Sequence, residues 1–187
     1  AGSGYTPQGG FTEGGQALAA DDTTLQALTT AALLCNDARL QAPADPASAW
    51  TVLGDPTEGA LVVLAAKAGL QADVLAAQAP REAELPFDAD HQLMATRHRL
   101  PQAPQRVYVK GSPEAVLRLC TGHTDAATLA AARQAAEHHA TQALRVLALA
   151  QVDDDTLDGG FDALAGRARL LGLVGQIDPP RDEVRVA

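Results

Sequence analysis

Val107-Tyr-Val-Lys-Gly-Ser-Pro-Glu-Ala-Val116 is a β-strand that runs directly into a helix. Val107 and Val109 alternate with Tyr108 and Lys110, the period-two pattern of a strand. Gly111 ends that pattern and lets backbone come close to whatever lies beside it. Ser112 is a good helix N-cap, and Pro113 suits the first helical position, where a missing N–H costs nothing. A lysine at the end of a strand, beside a glycine and a helix N-terminus, is suited to a phosphate group. It equally suits an ordinary strand-to-helix turn with a solvated lysine. The local sequence leaves both readings open.

Working outward, the 187 residues suffice for one domain with a sizeable core. The composition is 47% hydrophobic but only 3% aromatic, so each aromatic ring is scarce. The net charge of −9 argues against binding nucleic acid or an anionic membrane by bulk charge, yet permits a local basic pocket. Cys35 and Cys120 are far apart and join no CxxC or Cys/His cluster, so neither a zinc site nor a disulfide framework is expected. No apolar run approaches the ~18 residues of a membrane span. The glycine-rich start has no charged and apolar regions of a signal peptide, and both ends are abrupt enough to suggest a piece of a longer protein.

Residues 1–16 read as loop, with an extended piece near Tyr5. Asp21 and Asp22 precede a helical face at Leu25, Leu28, Ala32 and Cys35, which predicts a helix ending near Asn36-Asp37. Residues 41–50 read as a proline-punctuated loop. In Gly54-Asp-Pro-Thr-Glu-Gly-Ala-Leu61, Asp55 can cap a helix, with Pro56 first and Glu58 third. That is a capping-box pattern, and Glu58 is either a cap residue alone or a site residue. The helix should run to Lys67 and stop at Gly69, with a short helix over 71–78 following. Pro86, Asp88 and Asp90 read as a turn. Strands over 91–99 and 106–110 then form an antiparallel hairpin, with Phe87 at its mouth as a core plug or an exposed stacking ring. A long helix over 125–144, a buried strand over 145–150, an acidic loop over 153–160 and a strand over 170–177 complete the chain. Glu137-His-His139 reads as a solvated helix face. Sequential strands with helices in blocks predict an α+β fold, a twisted antiparallel sheet flanked by helices.

Six stretches, in order, resemble one family: Cys35-Asn-Asp37, Gly54–Leu61, Pro86-Phe-Asp88 with Met94, Lys110-Gly-Ser-Pro-Glu114, Leu144–Ala150 and Asp178-Pro-Pro-Arg181. Together they look like the nucleotide-binding (N) domain of P-type cation-transporting ATPases, of the group that includes the calcium and sodium/potassium pumps. Tyr5-Thr-Pro-Gln-Gly9 resembles the segment leading into that domain, and the resemblance covers essentially the whole chain. It implies a single nucleotide-binding domain over 1–187, with 1–16 and 178–187 as connections toward a phosphorylation domain outside the chain. It implies that Phe87 stacks on adenine, that Lys110 with Gly111 lines the base and reaches the phosphates, that Glu58 contacts the adenine edge or the neighbouring ligand groups with Thr57 adjacent, and that Arg145 lies near the phosphates. Gln92 and Met94 complete the expected binding set. ATP is the implied ligand, with Mg2+ held mainly by the phosphorylation domain. No residue here is expected to be the catalytic nucleophile or a metal ligand, because the phosphorylated aspartate of a DKTGT motif should lie just before residue 1.

The implied partners are ATP or ADP and the phosphorylation and actuator domains of the same parent chain, with no nucleic acid and no membrane contact except through that parent. The fragment is expected to be a monomeric cytoplasmic domain of an integral membrane protein. It should bind ATP without completing turnover. One departure stands out. Many relatives carry a second cation shortly after the phenylalanine, where this chain has Ala89, His91 and Gln92. The competing reading is a non-enzymatic interaction module that keeps the fold but binds nucleotide weakly or not at all. A stand-alone kinase or hydrolase would need a nucleophile, a metal site or a GxxxxGK[ST] loop, and none is visible.

Overall fold

The computed structural model describes residues 4–45, 48–101, 105–153 and 157–177. Strands β1 (Phe11–Glu13) and β2 (Gln16–Leu18) form a small hairpin in the region read above as loop. Helix α1 (Thr23–Leu34) begins where the Asp22 carboxylate accepts from the Leu25 amide. Strands β3 (Arg39–Gln41) and β4 (Thr51–Leu53) pair across the proline-rich segment, a second hairpin that the loop reading missed. Each of these strands has three residues, too few for a period to declare itself.

Helix α2 (Pro56–Lys67) starts and stops as the sequence dictates. Asp55 accepts from the Thr57 and Glu58 amides. At the far end Gly69 adopts φ +82°, and Leu70 donates to the Ala65 carbonyl and Gly69 to Ala66, a Schellman closure. Helix α3 (Ala72–Gln78) follows.

The centre of the fold is a five-stranded sheet, antiparallel throughout, in the order β5 (Arg81–Asp88), β6 (Leu93–His98), β7 (Arg106–Gly111), β8 (Leu144–Asp153), β9 (Arg169–Ile177). Helices α4 (Pro113–Leu119) and α5 (Ala126–Thr141) connect β7 to β8. The Ser112 hydroxyl caps α4 by accepting from the Ala115 amide. The α+β expectation and the 106–110 strand-to-helix junction are therefore as read from the sequence.

Three boundaries differ. Pro86 and Asp88 do not form a turn but lie in β5, an edge strand. An edge tolerates proline because one row of N–H groups has no partner strand. Pairing slips between Leu85↔Ala95 and Asp88↔Leu93, so Pro86 and Phe87 together oppose Met94, a bulge. Helix α5 ends at Thr141, and Ala143 takes φ +58°. Strand β8 extends to Asp153, through part of the predicted acidic loop. The other edge strand, β9, carries its own irregularity, where Leu149 faces Gly172 but Ala150 faces Leu170. Residues 154–156 of the acidic loop and the Asp178-Pro-Pro-Arg181 motif lie outside the described residues.

Alternation along the strands divides the core in two. Leu93, Ala95, Val107, Val109, Ala148, Ala150 and Val152 pack on α4, on Leu129 of α5 and on Phe161, Leu164 and Ala168. Met94, Tyr108 and Leu149 face the other way, against Ala31, Ala32, Leu34 and Cys35 of the α1 region and Leu61 of α2. Both thiols are buried, and burial pushes Cys120 up to about 11.

Two residues near the sheet ends yield tests. A Cβ at Gly111 would overlap the Gln92 carbonyl oxygen and crowd the Leu93 side chain. Gly111→Ala should therefore cost about 1–3 kcal/mol of unfolding free energy in urea, and an unchanged midpoint would contradict this close approach. His98 is buried with Nδ1 donating to the Ala79 carbonyl at 2.8 Å and Nε2 3.0 Å from Thr96 Oγ1. Burial lowers its pKa below the ordinary 6.5, and the Arg81 charge adds to this, against the pull of the carbonyl bond. The stability His98 contributes is thus complete above about pH 6.5 and is lost as pH falls through the lower, folded-state value. His98→Asn should flatten the fall in urea midpoint below pH 6.5 relative to wild type; parallel curves would contradict it.

Candidate functional site

The antiparallel register lines up one row across the sheet. Phe87 in the β5 bulge is opposite Met94, Met94 pairs with Lys110, and Lys110 pairs with Leu149. Met94 is 1% exposed and forms the floor of this row. Phe87 is 64% exposed, so its ring is not a core plug. In a chain with three phenylalanines, a ring held on a strand with most of its surface open is scarce apolar surface.

Lys110 is only 6% exposed, on the α1/α2 face. Burying an ammonium group demands a partner, and the partner is Glu58 of α2: Lys110 Nζ forms an ion pair with Glu58 Oε1. The other carboxylate oxygen, Oε2, accepts from the Asp37 amide at 3.1 Å. Asp55 supplies the helix cap alone, and Glu58 uses its side chain elsewhere. A capping-box glutamate would instead turn back to the N-cap amide. The Glu58 side chain thus closes no capping box and instead bridges Lys110 and the Asp37 amide.

The next position along α2 is also held. Thr57 Oγ1 accepts from Arg145 Nη1 at 2.7 Å, and the Thr57 carbonyl accepts from Gln176 Nε2 at 3.0 Å. Arg145 and Gln176 are cross-strand neighbours on β8 and β9. Burial works against ionised Asp55, but the Glu58 and Thr57 hydrogen bonds and the Arg145 charge outweigh it and lower its pKa.

Gln92 sits at φ +57° in the β5–β6 turn, with its side-chain oxygen accepting from Ser112 Oγ at 3.0 Å. His91 is held by Asp88 Oδ1 at 2.8 Å, and its ring lies 5.2 Å from that of Phe161. Gln92 carries no charge, and the His91 ring is engaged by the Asp88 carboxylate. The structure thus joins Lys110, Glu58 and Met94, and separately Arg145 and Thr57 at the start of the same helix. Phe87 and Gly111 are tied in through the register.

Sequence reasoning gave no role to Arg81 or Gln176, and took Asn36 and Asp37 only as a helix end and part of a family motif. Asn36 Nδ2 donates to the carbonyls of Ala32 and Glu58, both at 3.0 Å, so it locks the end of α1 to α2. An asparagine just past a helical face was the available signal. Arg81, 44 residues from Asp37 in the chain, pairs with Asp37 and Glu84. Burial works against its charge, and those two carboxylates more than restore it. Nothing local in the sequence points to that contact. Among the described residues no group of three or more His, Cys, Asp or Glu side chains is arranged to hold a metal ion.

Comparisons with known proteins identify the family of the chain. The family model described as P-type ATPase, cytoplasmic domain N, matches residues 24–183. Cation-transporting ATPase pma1 of Synechocystis sp. is 37% identical over 202 aligned positions, covering 100% of this chain and 22% of that protein. Probable cation-transporting ATPase F of Mycobacterium tuberculosis is 37% identical over 140, covering 71% and 15%. Calcium-transporting ATPase type 2C member 1 of Bos taurus is 36% identical over 171, covering 86% and 16%. The chain therefore spans at most about a fifth of the length of these relatives. With the family model running from α1 past the last described strand, the chain belongs to the cytoplasmic N-domain family of the P-type cation-transporting ATPases.

Proposed function

We propose that this chain is the ATP-binding domain of a membrane cation-transporting ATPase, holding ATP so that its terminal phosphate reaches an aspartate in another domain. The observation that carries the reading is the pairing of buried Lys110 with Glu58 along the row that exposes Phe87. An uncovered ring beside a paired cation suits a ligand with a flat base at one end and negative charge at the other. Phe87 offers its face to adenine. Lys110 lines the base and directs its ammonium group toward the phosphates, and Gly111 leaves room for close approach. Glu58 offers a carboxylate to the base edge, and Thr57 and Met94 line the same region. Arg145 supplies guanidinium donors to phosphate oxygen in exchange for its bond to Thr57.

Ala89 and Gln92 leave the phosphate end with fewer cations than a fully basic pocket, so affinity should be moderate. That suits a domain that releases its product. Bound ATP supplies the phosphoryl group for transfer, and the acceptor aspartate and most contacts to Mg2+ belong to the phosphorylation domain of a longer parent. The phosphorylation and actuator domains of that parent are the protein partners. The isolated chain binds ATP or ADP without completing turnover.

Titration with ADP followed by amide NMR tests the reading. Stacking on one base is worth about 1–3 kcal/mol, so Phe87→Ala should weaken ADP roughly 5- to 150-fold. Because the ring is exposed, unfolding free energy should move by no more than about 0.5 kcal/mol. Shifts should centre on Phe87, Lys110 and Glu58. Wild-type-like affinity in the variant would overturn the assignment of the base to Phe87, and no binding to wild type at millimolar ADP would favour the non-enzymatic interaction module instead.

A further inference from the structure

We infer that Arg81, outside the nucleotide-facing row, is a positioning residue that sets the Glu58 carboxylate through the turn after α1; this rests on the nucleotide reading above. Its guanidinium makes four contacts. Nη1 donates to Asp37 Oδ1 at 2.7 Å and to Glu84 Oε2 at 2.8 Å. Nη2 donates to the carbonyls of Asn36 at 2.6 Å and Leu34 at 3.2 Å. Leu34 is the last residue of α1, and carbonyls at a helix end lack intrahelical donors. Arg81 thus closes α1 from outside and places a cation at the negative end of its dipole.

The turn it closes is the one that holds Glu58. The Asn36 side chain bridges Ala32 and Glu58, and its oxygen accepts from the Ala38 amide at 2.8 Å. The Asp37 amide, one residue from the Asn36 carbonyl that Arg81 holds, donates to Glu58 Oε2. Glu58 Oε1 then faces Lys110. The order of dependence is Arg81, the 34–37 turn, Glu58, Lys110. Exposed ion pairs contribute little by their charge alone. Here the planar fork fixes two carbonyls and two carboxylates simultaneously, a geometry that a lysine ammonium cannot reproduce. The specificity of the site would then depend on a residue that touches neither ligand nor Lys110.

The 187-residue chain and its Arg81→Met, Arg81→Lys, Glu58→Gln and Arg81→Met/Glu58→Gln variants carry the test. Two readouts are taken: hydrogen exchange at the Asp37 amide and ADP affinity. In Arg81→Met, Asp37 exchange should rise about fivefold or more, the equivalent of one hydrogen bond, while Val109 and Ala150 keep their protection. Arg81→Lys should not restore it. ADP should weaken by a similar factor in Arg81→Met, with no further loss when that change is added to Glu58→Gln. Unchanged Asp37 exchange would overturn the inference, as would additive losses in the double variant, which is the outcome for a merely structural arginine. If the wild-type chain binds no ADP, the nucleotide reading falls and this role with it; the exchange data alone then report whether Arg81 orders the turn.

Discussion

Everything at the candidate site depends on the contact between Lys110 and Glu58. An ammonium group that is 6% exposed has lost nearly all of its water, and that loss demands a counter-charge close by. The carboxylate that compensates it comes from a different layer, the first turn of α2. To present it, the helix must start at Asp55, the α1 turn must donate an amide to the other oxygen, and β7 must carry Lys110 to its last turn of pleat. Losing one partner of a buried pair costs about 3–5 kcal/mol. The lower end fits here, since the Glu58 side chain keeps 18% exposure. The sheet and the two helices are thus held in register by an electrostatic requirement as well as by the apolar packing of Met94, Leu149 and Leu61.

The parts of this arrangement that were legible in the sequence are those decided locally. Ser112-Pro113 and Asp55-Pro56 announce their helices because a side-chain oxygen and a fixed φ act within one turn. Gly111 announces a close approach, and the structure supplies the Gln92 carbonyl as the group approached. What stayed hidden is non-local or self-contradictory at short range. Pro86 speaks for a turn over any short window, and only the knowledge that β5 is an outermost strand makes it compatible with pairing. Arg81 contacts residues 44 to 47 positions earlier, a distance at which no pattern in the chain relates them. Family resemblance selected Phe87, Lys110, Glu58 and Arg145; the fold explains why Glu58 is free of its capping duty and why Arg145 meets Thr57.

The two core clusters also divide the labour of the domain. The α4/α5 face contains the larger apolar cluster, with Phe161 and the raised-pKa thiol of Cys120, and packs the sheet against its helices. The α1/α2 face mixes apolar residues with Lys110, Thr96 and His98, all buried and all partnered. Cys35 lies on this face with its thiol directed at the Met94 carbonyl, and burial raises its pKa despite the nearby lysine. Polar groups concentrated on one side of a sheet leave the other side to supply cohesion.

The bulge that lifts Phe87 into the open has a second consequence. A straight outer strand would offer an uninterrupted ladder of amides and carbonyls to any other extended chain, including another copy of this domain. In this sheet both outermost strands are broken. Pro86 and Phe87 interrupt one, and the Leu171 step beside Gly172 interrupts the other. A neighbouring copy therefore finds no uninterrupted edge to extend. The kink that leaves the Phe87 ring exposed is therefore also the point at which the outer ladder of β5 is interrupted.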